Sequence, residues 1–433
     1  HPTAPQLRWH LPIHQSLPIR LHVVGVLTVV SDLGLGGVQR TATNFALGFA
    51  KLGQDSRVLT AKGAGERSLE LATSGIPLYR GIREIDANWQ PDFIHVHSAG
   101  VPETMVEELV TRFPSAILVE KNVFSEPSSW DSQLDLSCHM TESCIQQYRR
   151  RQGVAPTRII PNPVQVSRFQ FDHEAGARFR AKLGIPPDAY VVGRIGQPIT
   201  YKWSPTLVRT FDRLAAGLPS VWLVVVGAPR EVIKQIARAK SAKRTSVIDR
   251  LYTDQDLCAA YSAMNLFAHS AAQGESFGNV LAEAMLCQVP IVTLGTPWAD
   301  NSQVDLVGNS RAGIVARNHK EWERSINFLI GNSPLAQSLG TNGRRYAIDN
   351  FDSHVVSEVL LSAMQSLLGQ RPKRHTQFDT SRRIRVNTAL KSTPWRIGKR
   401  IGPKTFHGAW RWLPAKILQS RQRPSIPLRT RTK

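Results

Sequence analysis

Long apolar runs are missing from this 433-residue chain, and none approaches the roughly 18 residues that span a bilayer. The longest, Val23 to Val30 and Val221 to Val226, have the length of buried strands. Cysteine is scarce as well. Its four copies, Cys138, Cys144, Cys258 and Cys287, show neither a C-x-x-C pair nor a metal-ligand spacing. That excludes a disulfide framework and points to reduced core residues in a reducing compartment. The opening stretch HPTAPQLRWHLPIHQSLPIR is polar and broken by proline, with no apolar segment of a secretory signal. The expectation is a cytoplasmic protein, peripheral on the inner face of the membrane if it meets one.

Acidic residues are few, 33 against 54 Lys and Arg, giving a formal charge of +21. Such a balance suggests nucleic acid until it is mapped. Residues 371–433 hold eighteen of the Lys and Arg and one acid, Asp379, which leaves the body at +4. The charge belongs to a tail, and the body gives no reason for a nucleic-acid partner. With 42% apolar and 20% charged residues the chain is ordinary for a globular protein, and its length allows two or three domains.

What is present is an alternation of short β-branched runs with helical patterns, the sign of parallel α/β architecture. LHVVGVLTVV (21–30) predicts a first strand and Gly37 to Leu52 an amphipathic helix opening on Gly36-Gly37. Strands follow at SRVLTA (56–61), DFIHVHS (92–98), AILVEK (116–121) and LSCHMT (136–141), one doubly wound sheet. The pattern pauses near IIPNPV (159–164). A second series then runs through YVVGRIG (190–196), VWLVVVG (221–227), SVIDRL (246–251), NLFAHS (265–270), VPIVTLG (289–295) and AGIVA (312–316). The expected organisation is a first domain over 1–170, a second over 171–350, a C-terminal helix over 351–370 crossing back to the first, and the basic tail 371–433.

Ligands of open α/β sheets sit beyond the carboxyl ends of strands, so residues just past predicted strands come first. Arg194 and Lys202 flank a turn after YVVGRIG; cations there suit a diphosphate leaving group, although a solvated turn looks the same. More specific is the strand NLFAHS, the loop AAQGESFG and the helix NVLAEAMLCQVP. Amides at that helix start attract phosphate or sugar oxygens, and Gly274 and Gly278 permit close approach. Glu275 lies in the loop and Glu283 about two turns into the helix. One carboxylate can reach a sugar hydroxyl, the other a ribose diol.

GESFGNVLAEAM resembles the acidic motif of family-4 retaining glycosyltransferases, in which two glutamates separated by seven residues bracket an F-G pair and precede E-A-M. In the same order, GGVQR (36–40) resembles the family's glycine loop, IIPNPV its interdomain segment, VGRIG with Lys202 its phosphate-binding pair, and QVDLV (303–307) its later segment. The resemblance covers about 21–365. It implies a GT-B fold, α/β with two Rossmann-like doubly wound domains facing across a cleft, the second binding a nucleotide-diphosphate sugar and the first a glycan or lipid-linked acceptor. Carried over by position, Arg194 and Lys202 would hold the diphosphate, Glu275 the transferred sugar and Glu283 the ribose. The amides of Ser276, Phe277 and Gly278 would face the donor, and Gly36 and Gly37 would approach from the opposite side. No metal or cofactor is expected, since protein cations do that work. Configuration would be retained, the departing phosphate taking the acceptor proton.

This chain also departs from the family. Gln288, Pro163 and Asp305 replace residues at turns. Where many relatives carry a histidine past the strand AILVEK, it has Lys121-Asn122. Lys121, Asn122 or His97 are candidates for the acceptor side; of His95 and His97, only one is expected to face a given side of the sheet, and a structural role is the alternative for each. The run Thr296 to Gln303 is either a sugar-recognition loop or a capped helix start. The tail interleaves Lys and Arg with Trp395, Phe406, Trp410 and Trp412, which suits an anionic membrane surface at about 1 kcal/mol per cation near the lipid; nucleic acid or a solvated extension are alternatives. Enzyme and non-catalytic nucleotide-binding or scaffold protein are the competing readings of the whole.

Overall fold

The computed structural model describes residues 22–368. All of these fall within the first of two units, His1–Asp379, and the basic tail 371–433 lies outside the described residues.

Two all-parallel sheets form within the first unit. Parallel sheets are covered by helices on both faces, so their strands read as continuous β-branched runs. GVLTVV becomes β1 (Gly25–Val30), buried at every position. Around it lie β2 (Asp55–Thr60), β3 (Leu78–Tyr79), β4 (Phe93–His97), β5 (Ile117–Lys121), β6 (Leu136–His139) and β7 (Thr157–Ile159), in the order β3-β2-β1-β4-β5-β6-β7. β1 pairs with β2 from Gly25↔Asp55 to Val30↔Thr60 and with β4 from Val26↔Phe93 to Val29↔Val96.

The second sheet comprises β8 (Tyr190–Ile195), β9 (Val221–Val226), β10 (Thr245–Ile248), β11 (Leu266–His269), β12 (Ile291–Leu294) and β13 (Gly313–Ala316), ordered β10-β9-β8-β11-β12-β13. In each sheet the order reverses once, between β1 and β4 and between β8 and β11. A crevice opens at such a reversal, beyond the strand ends. Gly36-Gly37 follow β1, Lys202 follows β8 and Glu275 follows β11, so the sheets deliver the sequence motifs to the two switch points.

β3 and β7 were not anticipated, being two and three residues long and too short for a pattern. β12 starts at Ile291 rather than Val289, because Pro290 has no N–H for the ladder. The chain crosses between the sheets twice, and the crossings touch: Val164 N donates to Phe351 O (2.7 Å) and Ser353 N to Val164 O (2.9 Å). The helix Ser353–Gln365 then packs on the helix Gly37–Lys51, where Val356, Leu360 and Leu361 cover Phe45 and Phe49. Each such side chain contributes about 1.5–3 kcal/mol by leaving water. Close approach is permitted by Gly48, since a Cβ there would stand 2.0 Å from Ser357 Oγ.

Candidate active site

The loop after β11 gathers charged and polar side chains at the end of the second sheet. Glu275 is only 6% exposed. Its Oε2 accepts from Lys202 Nζ at 2.5 Å and its Oε1 lies 3.3 Å from His269 Nε2. His269 Nδ1 is 2.8 Å from Thr293 Oγ1. Burial drives the imidazole down to about 4, so it is neutral near pH 7; with Nε2 donating to the carboxylate, Nδ1 accepts from Thr293. Burial opposes the charge on Glu275, yet the hydrogen bond from His269 and the ammonium of Lys202 overcome it and hold the carboxyl at about 2. Glu275 is therefore an ionised acceptor pinned between two donors.

The backbone of this loop is shaped by glycine where nothing else fits. Gly274 has φ +63°, and a Cβ on it would lie 1.7 Å from Asp300 O. Gly278 has φ +93° and begins the helix Asn279–Leu286. Phe277 is buried and meets the Phe351 ring edge-on at 5.3 Å, which anchors the loop from below. Ser276 O accepts from Ser302 Oγ (2.6 Å), and Ser276 Oγ donates to Asp300 Oδ2 (2.8 Å).

Arg194 and Lys202 are placed differently. Arg194 is still inside β8, so the pleat turns it into the layer beneath the sheet, 1% exposed. Its guanidinium donates to Ile195 O and, at 2.8 Å, to Lys202 O, and it sits 5.0 Å from the Trp203 ring. Lys202 ends the turn Thr200–Lys202 beyond the strand, and its side chain keeps 21% of its surface. Of the expected cation pair, only Lys202 presents its head group; Arg194 fixes the backbone that carries it.

Glu283 lies below, on the helix Asn279–Leu286, and its Oε2 accepts from Tyr261 OH at 3.0 Å. Burial raises its carboxyl above the usual range, against the pull of Arg40. A small cavity here is lined by Arg40, Asn44, Pro163, Arg168, Asn279 and Glu283, from both sides of the crossing. Gly36 is the residue before the Gly37–Lys51 helix, and a Cβ on Gly37 would come within 3.4 Å of Asn279 Nδ2. The starts of two helices thus face each other, and their free amides favour an anion between them.

Residues 177–346 match the family described as Glycosyl transferases group 1. The second half of the chain is thus similar to this glycosyltransferase family. Among similar curated proteins are the capsular polysaccharide biosynthesis glycosyltransferase CapM of Staphylococcus aureus, 26% identical over 211 residues (48% of this chain, 53% of CapM), and a D-inositol 3-phosphate glycosyltransferase of Salinispora arenicola, 29% identical over 229 residues (48% of this chain, 50% of the relative). The chain therefore spans about half the length of the curated relatives it matches. Among solved structures, Anabaena HepE in complex with UDP-glucose superposes with a TM-score of 0.65 at 18% identity, over 79% of this chain and all of HepE. WaaG, a glycosyltransferase involved in lipopolysaccharide biosynthesis, gives 0.56 at 17% identity, over 78% of this chain and 99% of WaaG. These likenesses establish the GT-B fold.

On the side of the first sheet, the structure departs from expectation. His95 and His97 do not face opposite ways: residues two apart on a strand share a face, and their rings lie 4.7 Å apart beside Phe45. Both are fully buried, and burial lowers both imidazoles far below their ordinary value. Lys121 is enclosed too, its ammonium donating to Ile160 O and Pro161 O in the interdomain segment. Asn122 Nδ2 donates to Glu120 Oε2 (3.1 Å) and Glu126 O (2.7 Å). All three acceptor-side candidates are thus closed inside the first domain, since a residue at the end of a parallel strand still packs under the covering helices. Cys258 differs from the other cysteines in being half-buried, its thiol donating to Arg168 O at 3.1 Å.

Sequence reasoning missed His269, Tyr261 and Arg40. His269 had a signal, as the last strand residue before the GES loop. Tyr261 had none, because its hydrogen bond to Glu283 joins two separate helices, and Arg40, the last residue of GGVQR, acts on the Glu283 carboxyl only through its charge from across the crossing. Among the described residues no group of three or more His, Cys, Asp or Glu could hold a metal ion, and no helix is long and apolar enough to cross a membrane.

Proposed function

We propose that this chain transfers a sugar, with retention of anomeric configuration, from a nucleotide-diphosphate sugar to a glycan or lipid-linked acceptor in the synthesis of a cell-surface polysaccharide or lipopolysaccharide. The observation that carries the reading is the Lys202–Glu275–His269 constellation at the switch point of the second sheet, within the residues that match the glycosyl transferases group 1 family. CapM and WaaG are described by polysaccharide and lipopolysaccharide synthesis, and HepE binds UDP-glucose.

Glu275, ionised and fixed, accepts hydrogen bonds from hydroxyls of the transferred sugar. An ammonium has three N–H donors, and Lys202 spends one on Glu275, leaving two for the diphosphate as its charge grows. Arg194 adds its charge from beneath and keeps Lys202 in place. The facing helix starts at Gly37 and Asn279 offer amides to the phosphates, with Ser276, Phe277 and Gly278 lining the donor, and Glu283 takes the ribose diol. As the bond from the anomeric carbon to the phosphate oxygen breaks, the acceptor oxygen bonds to that carbon from the same face, and its proton passes to the departing phosphate. No protein base is needed, which fits the enclosure of His97, Lys121 and Asn122. No protein-bound metal takes part. Residues 371–433 bring the enzyme to an anionic membrane surface where lipid-linked acceptors lie.

The test is nucleotide-sugar binding and turnover. A melting-temperature screen with UDP, GDP and their sugars identifies the donor, since a ligand that binds only the folded state raises stability. Transfer should then fall at least a hundredfold in Glu275→Ala and Lys202→Ala while both stay folded. Full activity in both variants overturns the site. Binding without turnover in the wild type favours a non-catalytic protein.

A further inference from the structure

The loop between β12 and the helix Ser302–Val307 is built more tightly than a connection requires. Thr296 N donates to Asn301 Oδ1 (2.7 Å), and Gln303 Nε2 to Thr296 Oγ1 (2.7 Å). Glu275 N donates to Gln303 Oε1 (3.0 Å), and Ser302 N to Glu275 O (3.0 Å). The loop is therefore laced to the donor loop on both sides. It is not a capped helix start of the ordinary kind, because Asn301, at the cap position, turns its side chain back to Thr296 and caps nothing.

Asp300 occupies the position this lacing defines. Its carbonyl abuts Gly274 and accepts from Thr296 Oγ1 at 2.5 Å. Its Oδ2 takes the hydroxyl of Ser276, the residue next to Glu275. Oδ1 has no hydrogen bond among the described residues, and the side chain is half-buried rather than enclosed. Burial raises its carboxyl, with Lys202 pulling down and Glu275 pushing up, so it lies in the field of both. From the first domain, Gln147 Nε2 grips the neighbouring Ala299 O at 2.6 Å, and Thr141 Oγ1 meets Ser302 Oγ at 2.9 Å.

We propose that Asp300 is a specificity-determining residue for the transferred sugar, its free Oδ1 accepting a hydrogen bond from a hydroxyl other than those taken by Glu275. This rests on the donor site described above. A carboxylate with one oxygen anchored and the other open is a rigid acceptor, and a site built to bond a particular hydroxyl rejects the epimer that turns it away. Gln147 and Thr141 make the setting of this carboxylate depend on the first domain being docked.

Asp300→Asn isolates the idea, because the amide oxygen still accepts from Ser276 while the second acceptor is replaced by a donor. Asp300→Ala removes both. Calorimetric affinities of the full chain are compared for UDP, UDP-glucose, UDP-galactose and UDP-N-acetylglucosamine, and for GDP and GDP-mannose. In Asn, the bare nucleotide should bind within about twofold of wild type, while the preferred nucleotide sugar weakens at least tenfold and the ranking among sugars flattens. An unchanged ranking in Asn overturns the proposal. So does a parallel loss of nucleotide and nucleotide sugar in Ala with Asn equal to wild type, the mark of a purely structural anchor. A wild type that binds none of these nucleotides removes the donor site itself, a failure distinct from the other two.

Discussion

Replacing Lys202 by Met tests whether the Lys202–Glu275 pair is as tightly coupled as its geometry indicates. Met keeps most of the stem and removes the ammonium that stands 2.5 Å from Oε2. The Glu275 carboxyl is held at about 2 against an ordinary 4.5. A difference of that size corresponds to about 3 kcal/mol of stability at neutral pH. The sign follows from the direction: a depressed carboxyl contributes fully above about pH 4.5 and loses its contribution as pH falls towards 2. His269 and Lys202 share the effect, so losing Lys202 should cost roughly half, about 1.5 kcal/mol at pH 7. An exposed pair would be worth less than about 1 kcal/mol.

Chemical denaturation of wild type and Lys202→Met at pH 7, 5 and 3.5 reads this directly. The difference should be about 1–3 kcal/mol at pH 7 and 5 and narrow at pH 3.5, where Glu275 in the variant is protonated and no longer needs a partner. A difference independent of pH, or no difference at pH 7, refutes the coupling. Nucleotide affinity measured on the same samples should fall at least tenfold, since the ammonium that is removed is also the one that presents its head to the cleft.

Gly274→Ala should weaken nucleotide-sugar binding at least tenfold with little loss of global stability, because φ +63° and the 1.7 Å approach to Asp300 O force the loop to move; calorimetry checks it. Gly48→Ala should cost about 1–3 kcal/mol and raise amide exchange across Ser353–Gln365, since its Cβ meets Ser357 Oγ at 2.0 Å. His95 is held at about 3 by burial, so folding resists its protonation and stability should fall as pH drops below about 6.5; His95→Phe should flatten that acid limb in pH-dependent denaturation. Removing residues 371–433 should abolish co-sedimentation with anionic vesicles and leave transfer to a soluble acceptor unchanged.

What could be read beforehand depended on how far apart the interacting residues lie. Strands buried on both faces are continuous apolar runs, and the E-S-F-G loop places its residues by sequence alone, so β1, β8, β11 and Glu275 were legible. Direction was not. Arg194 and Lys202 look alike as cations near a turn, but one is still in the pleat and the other is past it, and that difference of a few residues separates a buried support from a head group at the surface. His95 and His97 were legible in principle, because period two puts them on one face. Tyr261 was not, since it meets Glu283 only when two helices of the second half pack together, nor was Arg40, whose charge acts on Glu283 from across the crossing.

The crossing also sets the surroundings of Glu283. Arg40 bonds Asp254 at 3.2 Å, and Arg168 bonds both Asp254 (3.3 Å) and Glu70 (3.1 Å). Arg67 adds Glu70 at 3.3 Å. This chain of half-buried charges ties the Gly37–Lys51 side to the helix Asp254–Ser262, beside Glu283. Each pair alone is worth little, but a network fixes geometry because no member can move without unpairing another. Arg40 therefore places its charge near Glu283 from the side of the first sheet, as Gln147 holds Ala299 O, next to Asp300, from that same side. Glu283 and Asp300 thus each have a neighbour from across the crossing, and if they take ribose and sugar as proposed, opening of the cleft should loosen both together.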